Sequence, residues 1–143
     1  AMIEVAKLSK FNLTMVGNGA EGTTLYGVQK PAKVFIESGK EKTEELLCQI
    51  NTMFSEETTS EIEDAYKSLK SEEYDLPKFV EWGESALKSG TGPAAPLIAC
   101  QGGTLLHLCG LGLSFQEGYD AARKVLQEGS CYKKLMQHID NLF

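Results

Sequence analysis

Apolar positions follow different rhythms along this chain, and the changes of rhythm mark its organisation. From Ser89 to Gln116 there is no Asp, Glu, Lys or Arg, although 24% of the chain is charged. Within that stretch a helix is expected from about Pro96 to Cys109. Its apolar residues fall on every side rather than along one stripe, so it should be buried all round as the central helix of the core. Gly102 and Gly103 lie in its interior, where each glycine is roughly 1 kcal/mol worse than alanine. Close approach of a neighbouring backbone would offset that loss. Pro96 to Leu113 is long enough to raise the question of a membrane span. Gln101, Thr104, His107 and four glycines make it a poor lipid-facing surface, so a buried helix of a water-soluble fold is the expectation.

Upstream, the pattern is one of short runs broken by turn residues. Met2 to Leu8 suits the tail of a helix, and Asn12 to Val16 reads as a strand closed by Gly17. Helix, strand and glycine turn in that order suggest half of an α/β unit. Thr23 to Val28 and Lys33 to Glu37 are two further strand candidates, with Pro31 placed in their connection because it cannot donate to a ladder. Glu37-Ser38-Gly39-Lys40 is a second turn signal. Lys42 to Cys48 fits either a third strand or the start of a helix, and periodicity leaves both open. A small antiparallel sheet across about 23–48 is expected.

Downstream the period becomes helical. Thr58 and Glu61 have capping-box spacing, with Ile62, Tyr66 and Leu69 on one thin face, which predicts a peripheral helix in an acidic, solvated segment. Asp75-Leu76-Pro77 reads as a helix start. Leu76, Phe79, Val80, Gly83, Ala86 and Leu87 would line that helix's inner side, and Ser89-Gly90 would end it. After the uncharged helix, Ser114 and Glu117 form another capping box, and Phe115, Tyr119, Ala122 and Leu126 give the next inner face. Gly129 should stop that helix, and Tyr132, Leu135, Met136 and Ile139 mark a last one. The fold class is therefore α/β: a partial sheet with a small antiparallel hairpin region at about 12–48, followed by a helical C-terminal half at about 58–141.

A length of 143 residues suits one domain with one core. The formal net charge of −6 argues against nucleic acid and anionic membrane as partners. Cys48, Cys100, Cys109 and Cys131 show neither zinc nor disulfide spacing and read as reduced, mostly buried thiols. With no secretory signal at the N-terminus, a cytoplasmic protein is expected.

Candidate chemistry is sparse. Gly17-Asn18-Gly19-Ala20-Glu21-Gly22 matches GxGxxG in form, but Thr23-Thr24-Leu25-Tyr26 behind it favours a strand where a dinucleotide site needs a helix, so a glycine turn is the default reading. His107 and Cys109 are two residues apart on a helix and point in different directions, so they should not form a nucleophile–base pair. His107 reads as a core or interface histidine and His138 as a surface one. The many carboxylates of 51–75 have no ligand spacing for a metal and nothing to raise one pKa above another. Composition and spacing alone define no catalytic residue.

Two strings carry a resemblance. VGNGAEGTTLYGVQKPAKVFIESGKEKTEELL and the later LKSGTGPAAPLIACQGGTLLHLCGLGLSFQEGYDAARKVLQEGSCYKKL together resemble the C-terminal part of the anthranilate phosphoribosyltransferase family, in its anthranilate phosphoribosyltransferase-like branch. The resemblance covers about residues 5–137, with the acidic helix near 56–72 as an insertion. It implies the C-terminal portion of a glycosyltransferase α/β domain. In that domain ribose 5-phosphate passes from phosphoribosyl pyrophosphate to an amine or base such as anthranilate, a step of tryptophan biosynthesis, with Mg2+ assisting. In the family an Asp-Glu pair after the glycine turn holds magnesium. The aligned positions here are Glu21 and Gly22, so Glu21 is the one metal contact the resemblance implies. Gln101 stands where the family's apolar helix commonly has asparagine. The family's diphosphate loop and acceptor-facing arginine have no counterpart in these residues, which implies a chain inactive alone that needs an N-terminal half. The alternative expectation is a non-catalytic binding module on the same scaffold. An open edge on the first strand would invite pairing, hence an expected homodimer or a covered edge.

Overall fold

A computed structural model describes residues 14–17, 28, 30–37, 44–71 and 75–141. The chain divides into two compact units, 1–53 and 54–143.

The first unit carries three strands, β1 (Thr14–Gly17), β2 (Ala32–Glu37) and β3 (Glu44–Cys48). They form one antiparallel sheet in the order β1-β2-β3, with Val16 opposite Phe35 and Val34 opposite Leu46. Two-residue alternation explains which side of the pleat is covered. Ala32, Val34 and Ile36 are buried, while Lys33 faces out. On β3, Cys48 is buried and Leu47 exposed, which matches the register that sets Leu47 opposite Lys33. Lys33 Nζ reaches diagonally to Glu45 Oε1 at 2.7 Å, an exposed pair on the outer face. Pro31 sits immediately before β2, in the connection as expected. Cross-strand pairing decides between the two options that periodicity leaves open: 44–48 is a strand. A single helical turn, α1 (Ile50–Met53), comes next, with Ile50 and Met53 buried. The helix expected at 2–8, the glycine turn at 18–22, the body of the strand expected at 23–28 and the turn at 38–40 lie outside the described residues.

The second unit is helical: α2 (Glu56–Ser71), α3 (Leu76–Ser89), α4 (Ala94–Leu108), α5 (Phe115–Gln127) and α6 (Ser130–Asp140). The antiparallel sheet followed by helices is the architecture expected from the residue pattern. The uncharged helix, α4, is the hub, packed by α2, α3 and α5. Ala95, Pro96, Leu97, Ala99, Cys100, Gly103 and Thr104 are buried on it. Thr104, the one polar member, donates its hydroxyl to the Cys100 carbonyl at 2.8 Å and so carries no unmet hydrogen bond into the core. Burial all round is not what forms: Ile98, Gln101 and Gly102 are only half-buried and Leu105 is exposed, so one face of the helix, at i, i+3, i+4 and i+7, stays partly open.

The two interior glycines of α4 have different reasons to be there. A Cβ on Gly103 would lie 2.7 Å from the Tyr119 Cα and closer still to its backbone nitrogen, and one on Gly118 would lie 2.5 Å from the Gly103 carbonyl oxygen. The α4 and α5 backbones therefore touch at this pair, each glycine making room for the other helix. At Gly102 a Cβ would meet only the Ala122 Cβ at 3.5 Å, an ordinary contact.

Helix ends follow local chemistry with two corrections. Ser114 and Glu117 form the expected capping box on α5: the Glu117 N–H donates to Ser114 Oγ at 3.2 Å and the Ser114 N–H to Glu117 Oε2 at 2.8 Å. Those bonds from the Ser114 backbone and hydroxyl hold the Glu117 carboxyl below its ordinary pKa. Ser114→Ala should lower unfolding stability by about 1 kcal/mol while Ser114→Asp retains most of it, as measured by urea denaturation. Gly90 closes α3 in the left-handed conformation, φ +67°, as its position predicts. Asp75, by contrast, precedes α3 without a side-chain cap bond, and Pro77 in the first turn is the feature that marks this start. The box expected at Thr58 and Glu61 is also displaced by one turn. Ser55 precedes α2, its Oγ accepting from the Thr58 N–H at 3.2 Å, so Glu61 lies within the helix and is free to reach elsewhere.

Three faces differ from expectation. Thr58 and Ala65 join Ile62 and Tyr66 below the surface of α2, so this helix is docked on α4 rather than merely peripheral. On α3 the covered side is Phe79, Trp82 and Ala86, at i, i+3 and i+7; Leu76 and Val80 are exposed at its margin, and a Cβ on Gly83, expected on the inner side, would meet only open space. On α6 the helix forms where Tyr132, Leu135, Met136 and Ile139 mark it, yet none of its residues is buried.

Candidate functional site

The densest polar constellation in the second unit lies where α2 meets α5. Helical spacing brings Gln116, Tyr119, Asp120 and Arg123 to the side of α5 that faces α2. Gln116 spans the gap: its Oε1 accepts the Ser55 N–H at 2.9 Å, and its Nε2 donates to Thr58 Oγ1 at 3.0 Å and Asp120 Oδ1 at 2.9 Å. One turn on, the Tyr119 hydroxyl donates to Glu61 Oε2 at 2.6 Å. Arg123 Nη2 donates to Glu61 Oε1 at 3.1 Å, and its Nη1 to the Gly90 carbonyl at 3.1 Å. One carboxylate thus gathers a phenol and a guanidinium, and the guanidinium ties in the end of α3.

The electrostatics of this cluster are those of a clamp. Tyr119 is buried, and burial first, then the bond to Glu61, pushes its phenol far above the ordinary value, so it stays protonated and donates. Glu61 is matched by a positive charge whose side chain is 21% exposed against its own 41%. A protonated phenol and a guanidinium on α5 both donate to one carboxylate on α2. The arrangement joins helices.

An aromatic row runs behind it. Phe54 meets Tyr119 at 5.6 Å and Phe115 at 6.3 Å between ring centroids, and Phe115 lies 3.9 Å from the His107 ring. His107 Nδ1 is 2.6 Å from the Leu113 carbonyl oxygen, which it can engage as an N–H donor. These contacts place His107 in the packing of the turn between α4 and α5, the structural role its position suggests. Cys109 is exposed just beyond it, and His138 is exposed on α6. Gln101 is half-buried on α4. Glu21 and Gly22, the aligned magnesium positions, lie outside the described residues. Among the described residues no three His, Cys, Asp or Glu side chains converge to hold a metal ion, and no helix is long and apolar enough to cross a membrane.

Sequence reasoning misses Glu61, Arg123 and Gln116 as partners. It assigns Glu61 to a cap, whereas the true partners of that side chain are 58 and 62 residues away. The one local signal is Ser55: moving the cap there releases the Glu61 side chain. Comparison of the chain with protein-family models and with curated proteins finds no match.

Proposed function

We infer that this chain serves as the C-terminal part of a phosphoribosyltransferase-like protein, which transfers a phosphoribosyl group from phosphoribosyl pyrophosphate to an amine or base such as anthranilate. The observation that carries the reading is the Gly103–Gly118 crossing. Both glycines belong to the string that resembles the family, and their contact gives the apolar helix and the EGY-bearing helix a reason to share that pattern. The small antiparallel sheet ahead of the helices is in keeping with it. Glu21 is the carboxylate assigned to Mg2+, a hard cation that prefers oxygen ligands. With Gly22 beside it in place of a second carboxylate, magnesium would rely on substrate phosphates for more of its coordination. The Glu61–Tyr119–Arg123 clamp holds the helical unit in shape.

Titration calorimetry with phosphoribosyl pyrophosphate and Mg2+ tests this reading. The chain is used alone and joined to the N-terminal half that the family pattern calls for. Magnesium-dependent binding is expected in the joined form, and Glu21→Gln should weaken it about tenfold through loss of one charged ligand. Absence of binding in both forms rejects the transferase reading and leaves a non-catalytic binding module on the same scaffold.

A further inference from the structure

The last helix carries an apolar stripe that its own unit leaves partly uncovered. Leu135, Met136 and Ile139 remain 42%, 37% and 37% exposed. The helix is anchored mainly at its start, where Lys88 Nζ lies 4.7 Å over the Tyr132 ring. The charges beside the stripe show what fits against it. At about 100° per residue, Lys133 and Asp140 are two turns apart and only roughly 20° apart in direction, so they flank Met136 on the same side. Both are exposed. When two identical helices pack antiparallel about a two-fold axis, the same flank of each copy meets, and residues equidistant from the axis pair. An axis passing between Met136 and Gln137 sets Lys133 against Asp140, twice, with the Met136 side chains at the centre. A parallel pairing, or a register shifted by one turn, loses these opposed charges.

We propose that a second copy of this chain packs antiparallel on α6 about a two-fold axis beside Met136, pairing Lys133 of each copy with Asp140 of the other. Three partly exposed apolar side chains per copy make a narrow contact, so the dimer is weak, with a dissociation constant on the order of 0.1 mM. This surface is distinct from the strand edge and independent of any transferase activity.

Sedimentation equilibrium of the full chain from about 10 µM to about 1 mM tests it. A monomer–dimer equilibrium is expected. Lys133→Asp or Asp140→Lys alone should weaken it roughly tenfold, since each puts like charges together at two symmetric contacts. The double variant Lys133→Asp/Asp140→Lys, which restores opposite charges, should recover native affinity, and Met136→Glu should leave a monomer. All these positions are solvent-exposed, so circular dichroism should stay native. A chain monomeric throughout the range overturns the proposal. So does a dimer indifferent to the single reversals, or one that the double variant fails to restore.

Discussion

Gly103→Ala should lower the unfolding free energy by about 3 kcal/mol or more, while Gly102→Ala, one residue away, should raise it by up to about 1 kcal/mol. The two substitutions add the same methyl group to the same helix, so intrinsic helix preference favours both equally. What differs is the neighbour. At position 103 the methyl carbon would lie 2.7 Å from the Tyr119 Cα and closer still to its nitrogen. Those are main-chain atoms of a packed helix and cannot turn aside as a side chain can. Relief requires α4 and α5 to separate, which strips contacts from the most extensive helix pairing in the helical unit. At 102 the methyl group meets the Ala122 Cβ at 3.5 Å and simply fills space. Gly118→Ala should behave like Gly103→Ala, because its methyl would lie 2.5 Å from the Gly103 oxygen. Urea midpoints for the three variants decide the matter. A tolerant Gly103 would mean that the two backbones do not touch.

Removing the Tyr119 ring should come close in size. Tyr119→Ala deletes a buried aromatic that packs 5.6 Å from Phe54 and is expected to cost about 4 kcal/mol. Tyr119→Phe keeps the ring and loses only the bond to Glu61, for about 1.5 kcal/mol, since the carboxylate is partly solvated and retains Arg123. Burial of the phenol, and after it the bond to Glu61, also leaves a signature in pH. The folded-state pKa of Tyr119 lies above its ordinary value of 10.0. Its contribution is therefore complete below that value and is lost as pH climbs beyond it, because the unfolded chain releases the proton first. The stability difference between the native chain and Tyr119→Phe should be flat near neutrality and should shrink above pH about 10. A difference that stays constant into strong alkali would show that the folded chain does not raise the phenol's pKa.

Elements whose causes are local are legible in the sequence. The Ser114–Glu117 box, the proline in the first turn of α3 and the left-handed Gly90 each depend on residues within one turn of one another, and each occurs where the residue pattern puts it. Faces are less legible. A stripe of apolar residues predicts that a helix packs, but not how wide its partner is, so the stripes include Val80 and Ile139, which are exposed. The cap at Thr58 fails for a related reason: Ser55 competes for the same role three residues earlier, and the tertiary bonds of Glu61 settle the contest. For the candidate chemistry, the pattern of residues points to Glu21 through resemblance alone, while the polar cluster of the second unit could not be read at all. Tyr119 and Glu61 are 58 residues apart, and nothing local to either announces the other.

By itself, the order of residues determined that an uncharged, glycine-bearing helix would be central and where the later helices begin, since charge, caps and turn residues act over a few positions. Only the tertiary structure decided which of two adjacent glycines is indispensable, because Gly103 meets a backbone that arrives from elsewhere in the chain and Gly102 does not. It also turned Glu61 from an expected cap into the anchor of a three-helix clamp. Steric exclusion and hydrogen bonding fall off within a few ångströms, so such roles exist only once distant segments have been brought together.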